Sequence, residues 1–146
     1  MPDDPFHLER FVTAQQRVYP QVVSELRAGA KRSHWMWFIF PQLAGLGRSS
    51  TAQFYGLQDA TEAQAYWQHP LLGTRLRECF QILLTLTDRT AHEIFGSPDD
   101  LKLCSCATLF ASISPRDSEF EQVIVKYYSG RHDARTQELL TEASGL

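Results

Sequence analysis

Apolar residues recur along this chain at the spacing of amphipathic helices. Leu8, Phe11, Val12, Gln15 and Val18 share one face, the three- and four-residue rhythm of a helix with an inward stripe. Pro20 opens or kinks a second segment, which turns Val22, Val23 and Leu26 inward and stops at Gly29. After His69-Pro70, a proline in the first turn, come Leu71, Leu72, Leu76, Phe80, Leu83 and Leu84. Ser97-Pro98-Asp99-Asp100 reads as a cap, a proline and two acids set against the helix dipole. It leads into Leu101, Leu103, Ala107, Leu109 and Phe110. Asp59 with Glu62, Thr90 with Glu93 and Ser118 with Glu121 mark further helix starts. Gly96 and Gly130 mark stops, and Asp133 caps a last helix.

This pattern predicts an all-α fold. It is a single compact domain of about seven to nine short helices in an orthogonal or irregular bundle. Residues 1–146 form that one domain, with 1–5 and 142–146 frayed at the ends. Two segments pull the other way. Residues 35–40 and 123–128 are rich in β-formers, and by propensity they would make two paired strands. A lone two-stranded ribbon is marginal. A short buried helix ending near Ile39 is preferred for the first segment, because the residue before Pro41 is pushed out of the α region.

Composition supports a packed core. Of 146 residues, 43% are hydrophobic and 12% aromatic, which excludes a disordered chain. The net charge of −3 gives no global basic field, so bulk nucleic-acid binding is disfavoured, while a local basic patch stays open. Cys79, Cys104 and Cys106 have no zinc-knuckle spacing and no paired framework. They read as reduced core thiols of a cytoplasmic protein. The N-terminal residues lack a positive region and an apolar run, so no signal peptide is expected. The greasiest stretch, 35–40, is far short of the about 20 residues that cross a bilayer.

One window stands apart chemically. Lys31-Arg-Ser-His-Trp-Met-Trp37 sets a histidine and two tryptophans beside a basic pair, and a Gly45-Leu-Gly-Arg-Ser49 turn follows. On a helix, His34 and Trp37 share a face at spacing three. Gln42 turns back after Pro41, and Ser49, Ser50 or Thr51 caps the next helix. Backbone N–H groups there, with Arg48 beside them, suit a phosphate or carboxylate. The structural readings run alongside: Trp35, Phe38 and Ile39 as core, His34 as a satisfied histidine, the glycine turn as only a turn. His69 doubles as a helix cap and Arg75 as a solvated face. Lys102 doubles as a helical partner of Asp99. Ser105 and Thr108 share a face whose default is solvation. The turn is neither a P-loop nor a dinucleotide fingerprint. No nucleophile elbow occurs, and the five histidines are scattered, so no metal or cofactor is expected.

Three stretches carry a resemblance: Ser33-His-Trp-Met-Trp-Phe-Ile-Phe-Pro-Gln42 with the following Gly45-Leu-Gly-Arg-Ser49; His69-Pro-Leu-Leu-Gly-Thr-Arg-Leu76; and Phe95-Gly-Ser-Pro-Asp-Asp-Leu-Lys-Leu103. From about Phe6 to Leu140 the chain resembles an uncharacterised bacterial family of small stand-alone proteins. That family is known as domain of unknown function 1810 and sometimes mislabelled calpastatin. The resemblance implies an all-α fold and no established activity, cofactor or catalytic residue. Calpastatins are disordered inhibitors, which this aromatic-rich chain is not. Cys104 and Cys106 replace other small or polar residues, as packing positions would.

The leading expectation is an inter-helix site for an anionic, ring-bearing ligand, a nucleotide or ADP-ribose-like compound. Trp37, Gln42, Arg48, Ser49, Arg75 and Lys102 would bind it. His34 or His69 would serve as acid/base in a metal-independent hydrolysis or group transfer. The alternative is a non-enzymatic helical interaction module, a homodimer among its forms. Whether the chain is an enzyme stays open at this point.

Overall fold

The computed structural model describes residues 4–143, and side chains close most of their helix starts. Helices α1 (Glu9–Gln15) and α2 (Tyr19–Arg27) lead to a one-turn α3 (Met36–Ile39). A 3-10 turn (Ala44–Leu46) and α4 (Ser50–Tyr55) follow. Then come α5 (Ala60–Gln68), α6 (Leu72–Thr85) and α7 (Ala91–Phe95). The chain continues through α8 (Asp99–Ala111), α9 (Glu119–Tyr128) and α10 (Ala134–Ala143). Ten helices among the described residues exceed the seven to nine expected, because the single-turn elements stand as helices of their own.

Thr90 and Glu93 complete a reciprocal capping box. Asp59 accepts from the Glu62 N–H at 3.0 Å, Ser118 from Glu121 at 3.3 Å and Asp133 from Thr136 at 3.0 Å. Ser97 does not cap α8. Pro98 takes the N-cap position after a cis Ser97–Pro98 bond, and Asp100 accepts the Leu101 N–H with its own carboxylate.

No strand occurs among the described residues; Leu43 and Leu57 form one parallel bridge. Both β-rich segments are helical, and burial shows why. Phe120, Val123 and Ile124 point inward while Val125 and Lys126 face water, a helical rhythm that an alternating strand cannot produce.

Helix α8 is the axis of the bundle. Residues 103–110 are all buried, with α5, α7, α9 and α10 packed around them. Ser105 and Thr108 are therefore inside rather than solvated, and Ser105 donates to the Leu101 carbonyl at 3.2 Å. A continuous run of rings links Phe11, Tyr66, Phe110, Phe120, Phe80, Phe40, Phe95 and Trp35. Successive centroids are 4.7–6.4 Å apart, each pair worth about 0.5–1.5 kcal/mol beyond its buried area. Gly73 lets α6 start hard against α5: a Cβ there would lie 2.0 Å from the Trp67 carbonyl oxygen. The three cysteines are free and buried. Burial raises Cys79 to about 12 and Cys104 to about 11, and holds Cys106 well above the ordinary thiol value, as inert packing thiols require. No described helix is long and apolar enough to cross a membrane.

Candidate functional site

The turn that carries His34 and Trp35 is held from below by Glu25. This residue sits on the inward face of α2 beside Val22 and Leu26 and is buried. Its carboxylate accepts from the Arg32 N–H (2.7 Å), the Ser33 N–H (3.1 Å), the Ser33 hydroxyl (2.7 Å), the Trp35 indole (3.0 Å) and the Gln21 amide (2.9 Å). Burial would raise its pKa, but these donors overcome that and bring it down to about 2. Glu25 belongs to no motif of the sequence. The available signal was a carboxylate at helical spacing on an apolar face.

Above this anchor lies a cleft of about 280 Å³ between α3, α4 and the start of α8. His34 and Trp37 line one side, Thr51 another, and Lys31, Asp99 and Lys102 the rest. Asp99 bridges two ammonium groups, Lys31 at 2.8 Å and Lys102 at 3.0 Å. Lys31 is pinned further by the Ser33 carbonyl at 2.6 Å and lies 5.0 Å over the Trp35 ring. Lys102 lies 4.4 Å over Trp37. Burial works against a charged Asp99, and the two ammonium groups outweigh it, holding its carboxyl below the usual range. The cluster thus carries one net positive charge at neutral pH. Gly47 makes room for the indole: a Cβ there would meet Ala52 at 2.5 Å and Trp37 at 3.2 Å.

The other expected site residues go elsewhere. Gln42 is buried, and its carbonyl accepts from Leu57 at 3.0 Å. Ser49 caps α4 by accepting from Ala52 at 3.1 Å. Arg48 is exposed on the turn and does not line the cleft. His69 caps α6, its Nδ1 accepting from Leu71 at 3.1 Å and Leu72 at 3.2 Å. Arg75 is not a solvated face. It donates to Gln15 at 3.3 Å and lies 4.6 Å over Tyr19. Gln15 in turn donates to the Phe38 carbonyl and the Tyr66 hydroxyl. Of the eight expected residues, His34, Trp37 and Lys102 converge. Lys31, Thr51 and Asp99, read in the sequence only as a basic neighbour, a cap candidate and a helical partner of Lys102, join them.

The family model for proteins of unknown function, DUF1810, matches residues 5–140. The chain belongs to this family. It is also similar to the conserved hypothetical protein Rv1873 from Mycobacterium tuberculosis, whose crystal structure matches with a TM-score of 0.93. The two are 56% identical over 94% of this chain and 99% of that one. No curated protein matches the chain.

In this DUF1810 chain the motifs that carried the resemblance divide by role. The first and third meet at the cleft, bringing His34 and Trp37 against Asp99 and Lys102. The second is spent on the α5–α6 junction, through the His69 cap and the Gly73 contact. Among the described residues no three His, Cys, Asp or Glu side chains group as metal ligands.

Proposed function

We infer that the cleft between α3, α4 and α8 binds a small anionic, ring-bearing molecule of the nucleotide or ADP-ribose class. The observation that supports this most directly is Lys102, held 4.4 Å over a half-buried Trp37 in a concavity that also presents Lys31 and His34. A ligand ring packs against the indole surface, and its anionic group meets Lys102 and Lys31 beside His34. Any acid–base chemistry in this cleft falls to His34, since His69 Nδ1 is committed to capping α6.

Thermal shift against nucleotides and sugar phosphates tests this. A ligand at a hundred times its Kd adds about 2.7 kcal/mol, which raises Tm by several degrees. Trp37→Ala and Lys102→Ala should each cut the rise by about half or more while leaving the apo fold intact by circular dichroism. A silent panel, or a rise indifferent to both substitutions, overturns the reading.

A further inference from the structure

A second and larger cleft, about 430 Å³, opens on another part of the molecule, between the C-terminal end of α8, the 112–118 loop, α9 and α10. It falls within the range of roughly 300–1,000 Å³ typical of small-molecule sites. None of its lining residues belongs to the Trp37 cleft, so the two stand or fall separately.

Three features of this cleft bear on a ligand. The Ser114 hydroxyl oxygen is cut off from solvent and has no hydrogen-bond partner, a costly state for a buried polar group. His132 Nε2 and Glu121 Oε2 pair at 2.8 Å across the two sides of the cleft. The imidazole thereby braces the Glu121 carboxylate and leaves Nδ1 on the other side of the ring. Arg116 lines the same cleft from an exposed loop, and its guanidinium makes no ion pair or hydrogen bond with a described residue. The floor, formed by Ala111, Pro115 and Leu140, is apolar.

A free guanidinium, a histidine-braced carboxylate and an unsatisfied hydroxyl over an apolar floor define a ligand of mixed charge. We propose that this cleft binds an amino-acid-class zwitterion. Arg116 takes the ligand's carboxylate in its two-pronged geometry. Glu121, braced by His132, takes the ammonium. The ligand's side chain lies on Leu140 and Ala111, and a ligand polar atom supplies the partner that Ser114 lacks. A purely anionic ligand would meet Glu121, and a purely cationic one would meet Arg116, so neither charge alone satisfies the cleft.

The test is calorimetric titration and thermal shift of the full chain with the free amino acids one at a time. Acetate, methylammonium and inorganic phosphate serve as single-charge probes. At least one amino acid should bind, with Arg116→Gln and Glu121→Gln each weakening it tenfold or more. Ser114→Ala should weaken it less, and Trp37→Ala not at all. The proposal is overturned if no amino acid binds at millimolar concentration, if phosphate or methylammonium reproduces the effect, or if both substitutions leave affinity unchanged. Circular dichroism and Tm of each apo variant separate lost binding from lost fold. Arg116 is exposed, so its substitution keeps the test decisive even if Glu121→Gln unsettles α9.

Discussion

Two charge clusters in this protein use the same chemistry to opposite ends. Arg10 and Glu62 pair at 2.8 Å, both nearly sealed from water. All three guanidinium nitrogens of Arg10 are occupied, by the carbonyls of Phe6, His7, Phe54 and Gly56 and by Glu62 itself. The second Glu62 oxygen accepts the Gln58 N–H at 2.9 Å. Nothing remains for a ligand, and the pair ties the N-terminal segment to α4 and α5. The Lys31–Asp99–Lys102 cluster is half-open by contrast. Its side chains are 8%, 18% and 21% exposed, and Lys102 has only the Asp99 bond and the Trp37 face. Saturation, rather than charge or burial, separates an ion pair that holds the fold from one that can still bind.

The largest effect should come from breaking the saturated cluster. Arg10→Ala leaves Glu62 buried without its partner and should cost about 3–5 kcal/mol in urea denaturation. It should leave ligand affinity at the Trp37 cleft intact in whatever fraction stays folded. Glu25→Gln comes next, at about 2–3 kcal/mol, because a carboxamide cannot accept from five donors at once. Its pH signature has a definite sign. The folded-state pKa lies below the ordinary 4.5, near 2. That stabilisation is complete above about 4.5 and drains away as pH falls toward 2, and Glu25→Gln should flatten the acid limb of stability against pH.

Smaller shifts sharpen the comparison from the open side. Asp99→Asn should cost about 1–2 kcal/mol, more than Lys102→Ala, because it leaves the nearly buried Lys31 ammonium without its carboxylate. By removing the carboxylate that competes for both ammonium groups, it should raise anion affinity by a small factor, most visibly at low ionic strength. Lys102→Ala should change stability by no more than about 1 kcal/mol, since its ion pair is partly screened, yet weaken an anionic ligand about tenfold in calorimetry. If Lys102→Ala instead unfolds the chain as Arg10→Ala does, the open cluster is structural after all.

Much of the fold was legible because helix starts are local. Thr90 and Glu93, Asp59, Ser118 and Asp133 cap where their spacing to the next apolar run placed them. Ser97 misled because Pro98 took the N-cap place and Asp99 was drawn off to two lysines. The site was legible only in part. His34, Trp37 and Lys102 were found as chemically able residues. Arg48, Gln42, Ser49, His69 and Arg75 were equally able but are exposed, folded inward or tied to caps and neighbours. Glu25 was missed because its donors sit on the turn after its own helix, which no periodicity places, and only the Lys31 bond of Asp99 lies across the fold, since its Lys102 partner was legible at spacing three.

The sequence by itself determined the all-α class, most helix starts and the family, since these rest on local caps, apolar periodicity and contiguous motifs. Only the tertiary structure decided which polar residues meet. Lys31 and Asp99 are 2.8 Å apart across 68 positions of chain, and Arg10 and Glu62 are equally close across 52. Such pairs follow from how helices pack around α8. A guanidinium, ammonium or carboxylate is the same in sequence whether its donors and acceptors are filled or free; packing alone fills them.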